Sequence, residues 1–280
     1  MKTNPLKTAV VTGAGGGLGR AICLALGRRG ARLIVADVHQ ARCEETARLV
    51  EQAGGEATVV VVDVVDAAQV EQLAQEAERV LGRIDLVVNN AGVAAAGPVG
   101  QVSLADWQWI VGINLWGVIH GCHFFVPRLV RQGGGAVLNV ASLAGIACAP
   151  GMASYNTTKA AVIGLSETLA AEVSGDHVSV TVLCPAFFKT NLMETMRVSD
   201  AHFRDMAAAA FASSRMTADE VAASALQAVE RRQLYCLPMR EGRILWRLKR
   251  LMPQRYSRVL ASRRMQRMAE RRAAAQVGGV

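Results

Sequence analysis

Short β-branched runs alternate with longer segments of helical period along most of this 280-residue chain, and that alternation limits the folds open to it more than any other feature. Strands separated by helical crossovers pair in parallel, and the helices then cover both faces of the sheet. The runs predicted as strands are 8–12, 32–36, 58–63, 84–89, 135–141, 178–183 and 234–237. Helices are predicted near 18–29, 40–53, 66–81, 104–131, 154–174 and 217–231. Seven strands with crossover helices imply an α/β fold with a doubly wound seven-stranded parallel sheet in a single domain. This domain is expected over 1–237, with 191–216, rich in Met, Ala and Phe, as a helical insertion; 238–280 form a basic C-terminal extension. With 51% hydrophobic and 5% aromatic residues, the interior is expected to be aliphatic, and disordered or fibrous classes are excluded.

The formal balance of 31 Lys+Arg against 23 Asp+Glu is +8, but the excess is local. Residues 231–272 hold 14 basic and 2 acidic side chains, so the other 238 residues carry 17 against 21. Charge segregated in this way reports on partners of the tail, and no nucleic-acid partner is expected for the body. The cysteines at 23, 43, 122, 148, 184 and 236 form no CxxC pair and no zinc-spaced set. No metal is therefore expected, and a reduced cytoplasmic chain is. They read as small buried hydrophobes, with Cys148 a candidate for the pocket lining. MKTNPLKT runs straight into an apolar strand, which leaves no room for a signal peptide. The apolar stretch 110–126 is interrupted by Asn114, His120 and His123 and falls short of the ~20 residues of a membrane span, so it reads as a buried helix with packing histidines.

In a doubly wound sheet, ligands bind beyond the carboxyl ends of the strands. The first predicted strand ends in Thr12-Gly13-Ala14-Gly15-Gly16-Gly17-Leu18-Gly19. Its glycines allow a tight turn, close backbone approach to a pyrophosphate and tight helix packing, with the helix N-terminus facing the phosphates. The second strand leads to Asp37, where a carboxylate accepts from both ribose hydroxyls and repels a 2′-phosphate. NAD is favoured, although His39 and Arg42 are near enough to keep NADP open.

Asn89-Asn90-Ala91-Gly92, Asn114, Ser142 and Tyr155-x-x-x-Lys159 follow the glycine turn in order. With these residues, over about 6–237, the sequence resembles the short-chain dehydrogenase/reductase family, whose catalytic domain is a Rossmann fold. The resemblance implies that Asp63 and Val64 hold the adenine, that Asn90, Ala91 and Gly92 line the adenosine side, and that Pro185, Ala186, Phe188 and Thr190 cover the nicotinamide. It also implies a homodimer or homotetramer. One departure is visible: the family's usual Pro-Gly is Pro185-Ala186, whose extra methyl would shift this loop or narrow the pocket.

The chemistry also reads from the residues themselves. Tyr155 and Lys159, at i and i+4, share a helix face, and an ammonium beside a phenol is expected to lower its pKa from ~10 towards working pH. That makes Tyr155 an acid/base with Lys159 as activator. Ser142, at a strand end, can donate to the substrate oxygen. Asn114 is a poor helix former in an apolar stretch, which implies a local distortion, expected to hold a water that relays protons to Lys159. Alone, each residue type is more often an ordinary cap, turn or solvated pair; together they specify hydride-transfer chemistry.

The segments 93–98, 143–152 and 187–196 are mostly apolar, with Lys189 and Glu194 the main charges, so a lipophilic secondary alcohol or ketone is the expected substrate. The runners-up are an NADPH-dependent 3-oxoacyl-carrier-protein reductase, whose acidic partner a basic surface would suit, and a non-catalytic dinucleotide-binding scaffold. In the tail, Ile244, Leu245, Leu248, Leu251 and Met252 share a helical face away from Arg243, Arg247 and Arg250, with Trp246 off the stripe and Pro253 ending the segment. This amphipathic helix is expected either to close over the pocket or a neighbouring subunit, or to attach peripherally to anionic lipid.

Overall fold

Strand placement follows the alternation closely. The computed structural model describes residues 6–188, 190–212, 214, 216–260 and 262, and its strands are β1 (Thr8–Thr12), β2 (Arg32–Asp37), β3 (Glu56–Val61), β4 (Leu86–Asn89), β5 (Ala95–Ala96), β6 (Gly135–Val140), β7 (Val178–Leu183), β8 (Arg197–Val198) and β9 (Tyr235–Cys236). Seven of them form one parallel sheet in the order β3-β2-β1-β4-β6-β7-β9. The order reverses between β1 and β4, which opens a crevice at their carboxyl ends.

The helices are α1 (Gly17–Gly27), α2 (Gln40–Gln52), α3 (Ala67–Leu81), α4 (Leu104–Val111), α5 (Gly117–Arg131), α6 (Leu143–Ala147), α7 (Ala153–Glu172), α8 (Ala201–Ala212), α9 (Ala218–Glu230) and α10 (Arg240–Leu251). Local sequence explains several starts. Asp66 caps α3 by accepting from the Ala68 and Gln69 amides, and Thr217 with Glu220 forms a capping box on α9. One face of the sheet is closed by Ile22 and Leu26 of α1 with Leu226 of α9. The other is closed by Leu73 of α3, Phe125 and Leu129 of α5, and Val162 of α7.

The expected helix over 104–131 is continuous but not uniformly α. Gly112–Trp116 is a π turn joining α4 to α5, with Asn114 at its centre. By length and composition this helix does reach the range of a membrane span, contrary to the shorter stretch read from sequence. Its residues Val118, Cys122, Phe125 and Leu129 are nevertheless buried in the core beneath the sheet.

Three elements escape the periodicity: the five-residue α6, and the two-residue strands β5 and β8, which pair in parallel. That pair ties the helical insertion to the loop after β4. Lys189 and the tail beyond 262 lie outside the described residues.

The tail docks on the body through one side and leaves most of its apolar stripe outside. Trp246, not the stripe, packs on the body, 5.3 Å from the Tyr235 ring, and Gly242 is buried. Ile244, Leu248, Leu251 and Met252 are exposed. As expected, the amphipathic segment ends before Pro253: α10 stops at Leu251, and 253–260 are helical again, as proline at a first helical position allows.

Candidate active site

At the crevice, a cavity of about 550 Å³ is lined along one side by the glycine turn and Asp37, and along the other by Ser142, Tyr155 and Lys159. Gly13 and Gly17 have φ of +63° and +51°, a region that favours glycine. An added Cβ on Gly13 would lie 2.7 Å from Ala91 Cα, and one on Gly19 would lie 2.1 Å from the Gly13 carbonyl oxygen. Gly19 thus serves helix–strand packing. Gly13, Gly16, Gly17 and Leu18 line the cavity, while Gly15 lies in an adjoining cleft. Helix α1 starts at Gly17 with no side-chain cap and no acid in its first turn. Its leading N–H groups are left for an anion, so the cradle fits a pyrophosphate.

Asp37 Oδ2 accepts from Gly15 N at 3.0 Å and Oδ1 from His39 N at 3.0 Å, which fixes the carboxylate beside the turn. Asn90 Nδ2 donates to the carbonyls of Thr12 and Gly13 at 2.9 and 3.0 Å, joining the exits of β1 and β4. Ala91 and Gly92 follow it along the cavity, as do Asp63 and Val64. Asp63 Oδ1 accepts from Val65 N at 3.0 Å, and the Val64 carbonyl meets His120 Nδ1 at 2.9 Å, which accounts for that histidine as a packing residue. Pro185, Ala186, Phe188 and Thr190 line the same cavity, and Ala186 N donates to Met239 Sδ at 3.4 Å.

Ser142 ends the segment after β6 and caps α6, its Oγ accepting from Ala144 N at 3.1 Å. Tyr155 and Lys159 lie on the buried side of α7, and the Lys159 ammonium is 5.8 Å from the Tyr155 ring centre. The expected fall in the phenol's pKa is not found in this arrangement. Burial pushes Tyr155 up to about 12, with a hydrogen bond to Ser142 opposing it. Burial also pulls Lys159 down to about 8, because desolvation disfavours each charged form. Lys159 Nζ donates to the Val140 carbonyl at 2.9 Å.

Asn114 sits outside the cavity lining, fully buried. Its Oδ1 accepts from Val93 N at 2.8 Å and its Nδ2 donates to the Val93 carbonyl at 2.9 Å. The local distortion expected there is present as the π turn. The side chain clamps the loop after Gly92 through its two bonds to Val93. Nothing near Asn114 in sequence marks Val93 as its partner.

An ion pair between Arg42 of α2 and Glu194 of the insertion, at 3.0 Å, also has no local signal, since 152 positions separate the two. Cys148 is exposed and does differ from the other five, which are buried. It faces Lys249 Nζ at 3.2 Å and is not among the cavity-lining residues.

The family model for short chain dehydrogenases matches residues 7–201. Over 186 residues the chain is 39% identical to Probable oxidoreductase EphD of Mycobacterium tuberculosis; the match covers 66% of this chain and 31% of that protein, so the chain spans about a third of this relative's length. A short chain dehydrogenase/reductase from Burkholderia phymatum, solved in complex with NAD, superposes with a TM-score of 0.84 at 33% identity, covering 89% of this chain and 95% of that one. A short-chain dehydrogenase from Sphingobium yanoikuyae, solved with NADPH, superposes with a TM-score of 0.73 at 25% identity, covering 94% and 96%. Matched over most of its length in sequence and nearly all of it in fold, the chain belongs to the short-chain dehydrogenase family of oxidoreductases.

Proposed function

We propose that the protein interconverts a lipophilic secondary alcohol and its ketone with NAD as the preferred cofactor. The observation that carries this reading is a single cavity, walled by Ala147, Ala149, Met152, Leu192 and Phe211, that joins Ser142, Tyr155 and Lys159 to Asp37 and the open start of α1. Asp37 would take the ribose hydroxyls, the α1 N-terminus the pyrophosphate, and Lys159 the second ribose. When bound, the nicotinamide supplies or removes hydride. Tyr155 holds the proton at Oη and passes it to the substrate oxygen in reduction, while Ser142 donates to the same oxygen as charge develops. Burial pushes the phenol up, so Tyr155 carries its proton at neutral pH and can act as the donor in reduction.

Tyr155→Phe tests the reading: NADH binding is expected to persist while turnover falls at least ~100-fold. Unchanged turnover would overturn it. The preference for NAD rests on the Asp37 carboxylate, and NADPH bound to a relative keeps the opposite assignment a measurable alternative. A 3-oxoacyl-carrier-protein reductase is the competing reading, favoured by the basic tail; faster turnover of carrier-bound than free ketones would select it. An assembly of two or four subunits is proposed from the family, and light scattering reads it.

We propose peripheral contact of a cytoplasmic protein with anionic lipid through the outer side of α10. Exposed Ile244, Leu248 and Leu251 lie there, and the basic residues of 240–258 outnumber the acidic seven to one. Equal sedimentation with anionic and neutral vesicles would reject that contact.

A further inference from the structure

Helix α6 joins the two halves of the proposed catalytic set. It begins at its cap Ser142 and leads, through 148–152, into the start of α7 and Tyr155. A helix of five residues has almost no stability of its own, and its last carbonyls lack intrahelical donors. Cys148 ends it in the left-handed region at φ 51°, with its amide donating to the Ala144 carbonyl at 2.9 Å.

The Gly145 carbonyl accepts from the Cys148 thiol at 3.6 Å, and the two carbonyls after it are met from more than a hundred residues away. Lys249 Nζ donates to the Ile146 carbonyl at 2.5 Å, and Tyr256 OH donates to the Ala147 carbonyl at 2.6 Å. Tyr256 is only 6% exposed, although it lies in a tail dominated by solvated arginines. A cation at a helix C-terminus is also favoured by the helix dipole.

The rest of the tail is built to deliver these two groups. Gly242 is buried where α10 meets α6, with its Cβ position at ordinary contact distance, 3.4 Å, from Leu143. Trp246 packs on Tyr235 and carries the Arg250 guanidinium 5.0 Å over its ring. Arg250 in turn pairs with Glu167 of α7 at 3.3 Å, and Tyr235 OH donates to the same carboxylate at 2.6 Å. One strap thus grips both α6 and α7.

We propose that Lys249 and Tyr256 are positioning residues for the substrate site: they cap α6 from outside the cavity and hold the wall of Leu143, Ala144 and Ala147 that connects Ser142 to Tyr155 along the chain. The proposal rests on the catalytic reading of that cavity given above. Because neither residue lines the cofactor half, loosening the strap is expected to alter substrate handling and leave cofactor affinity in place.

The full-length chain carrying Lys249→Met, Tyr256→Phe or both is compared with wild type and with Lys249→Arg, which keeps the cation. Amide hydrogen exchange and NAD titration need no turnover, so they judge this proposal even if the catalytic reading fails. In the double variant, exchange over 143–149 is expected to rise roughly tenfold or more while β1 and α1 keep their protection. The NAD Kd should change less than about twofold, and KM for the ketone should rise about five- to twenty-fold with a smaller fall in kcat. Lys249→Arg should restore most of the KM. Unchanged exchange over 143–149, or equal loss of protection throughout the sheet, would overturn the proposal; so would an NAD Kd weakened as much as KM.

Discussion

Replacing Asp37 by Asn removes one charge from the proposed cofactor site while keeping nearly the same shape. Two backbone amides, Gly15 N and His39 N, point at this carboxylate, so its position is set by the turn and not by a flexible side chain. For a phosphate held about 4 Å from it, two unit charges repel by about 1 kcal/mol in water and about 4 kcal/mol at the effective dielectric of a partly buried site. These limits correspond to a preference for NAD+ over NADP+ of about fivefold to about a thousandfold. Asp37→Asn is expected to weaken NAD+ by about tenfold, through loss of a charged acceptor for the ribose hydroxyls. The NADP+/NAD+ ratio of Kd should fall at least as much, because the charge that repels the 2′-phosphate is gone. Calorimetric titration of both nucleotides at fixed ionic strength reads both numbers. Thermal unfolding should be followed in parallel, since Asn keeps only one acceptor for the two amides and the lost bond costs about 1–3 kcal/mol. A wild-type protein that binds NADP+ as tightly as NAD+, or a ratio unmoved by the substitution, would refute the argument.

Lys159 supplies a stability test that needs no substrate. Its pKa falls from 10.5 unfolded to about 8 folded, so between these values the unfolded chain binds more protons and stability rises with pH, by up to about 3 kcal/mol. The buried thiols of Cys23, Cys43, Cys122, Cys184 and Cys236 are pushed up by burial and contribute the opposite slope in both proteins. The stability of wild type relative to Lys159→Met, from denaturant titrations at pH 7 to 10, should therefore rise with pH; a difference independent of pH would contradict it. With Tyr155 still protonated through the neutral range, ketone reduction is expected to be flat from pH 6 to 8, and alcohol oxidation to climb as pH rises above 8. A reduction rate that drops with an apparent pKa near 7 would assign the proton to another group. Asn114→Ala removes both bonds to Val93 inside the core and should cost about 2–4 kcal/mol. A change below about 0.5 kcal/mol, by urea titration, would mean that the clamp contributes little to holding the loop.

The alternation of β-branched runs with helical segments was enough to name seven parallel strands, because residue period records which side of each element is buried. The glycine turn, Asp37 and the Tyr155–Lys159 pair were legible for a related reason: their geometry is local, set by φ at Gly13 and Gly17 and by one turn of α7. What escaped the sequence depended on partners far along the chain. Strands β5 and β8 are too short to carry a period, and α6 is held by Lys249 and Tyr256 from the tail. The apolar stripe of α10 was legible as a stripe, and the structure leaves it outwards, since the side that docks carries Trp246 against Tyr235. Asn114 was marked as a distortion by its residue type, while its role as a clamp appears only where Val93 meets it. The sign of the Tyr155 shift is the clearest division. Spacing placed an ammonium near the phenol, but the dielectric around a pair is a property of everything packed against it, and burial there outweighs the opposing hydrogen bond to Ser142. Sequence alone determined the elements and the chemical groups this protein carries; tertiary structure decided their partners, their exposure and their protonation, because those depend on contacts that form only when distant segments close on one another.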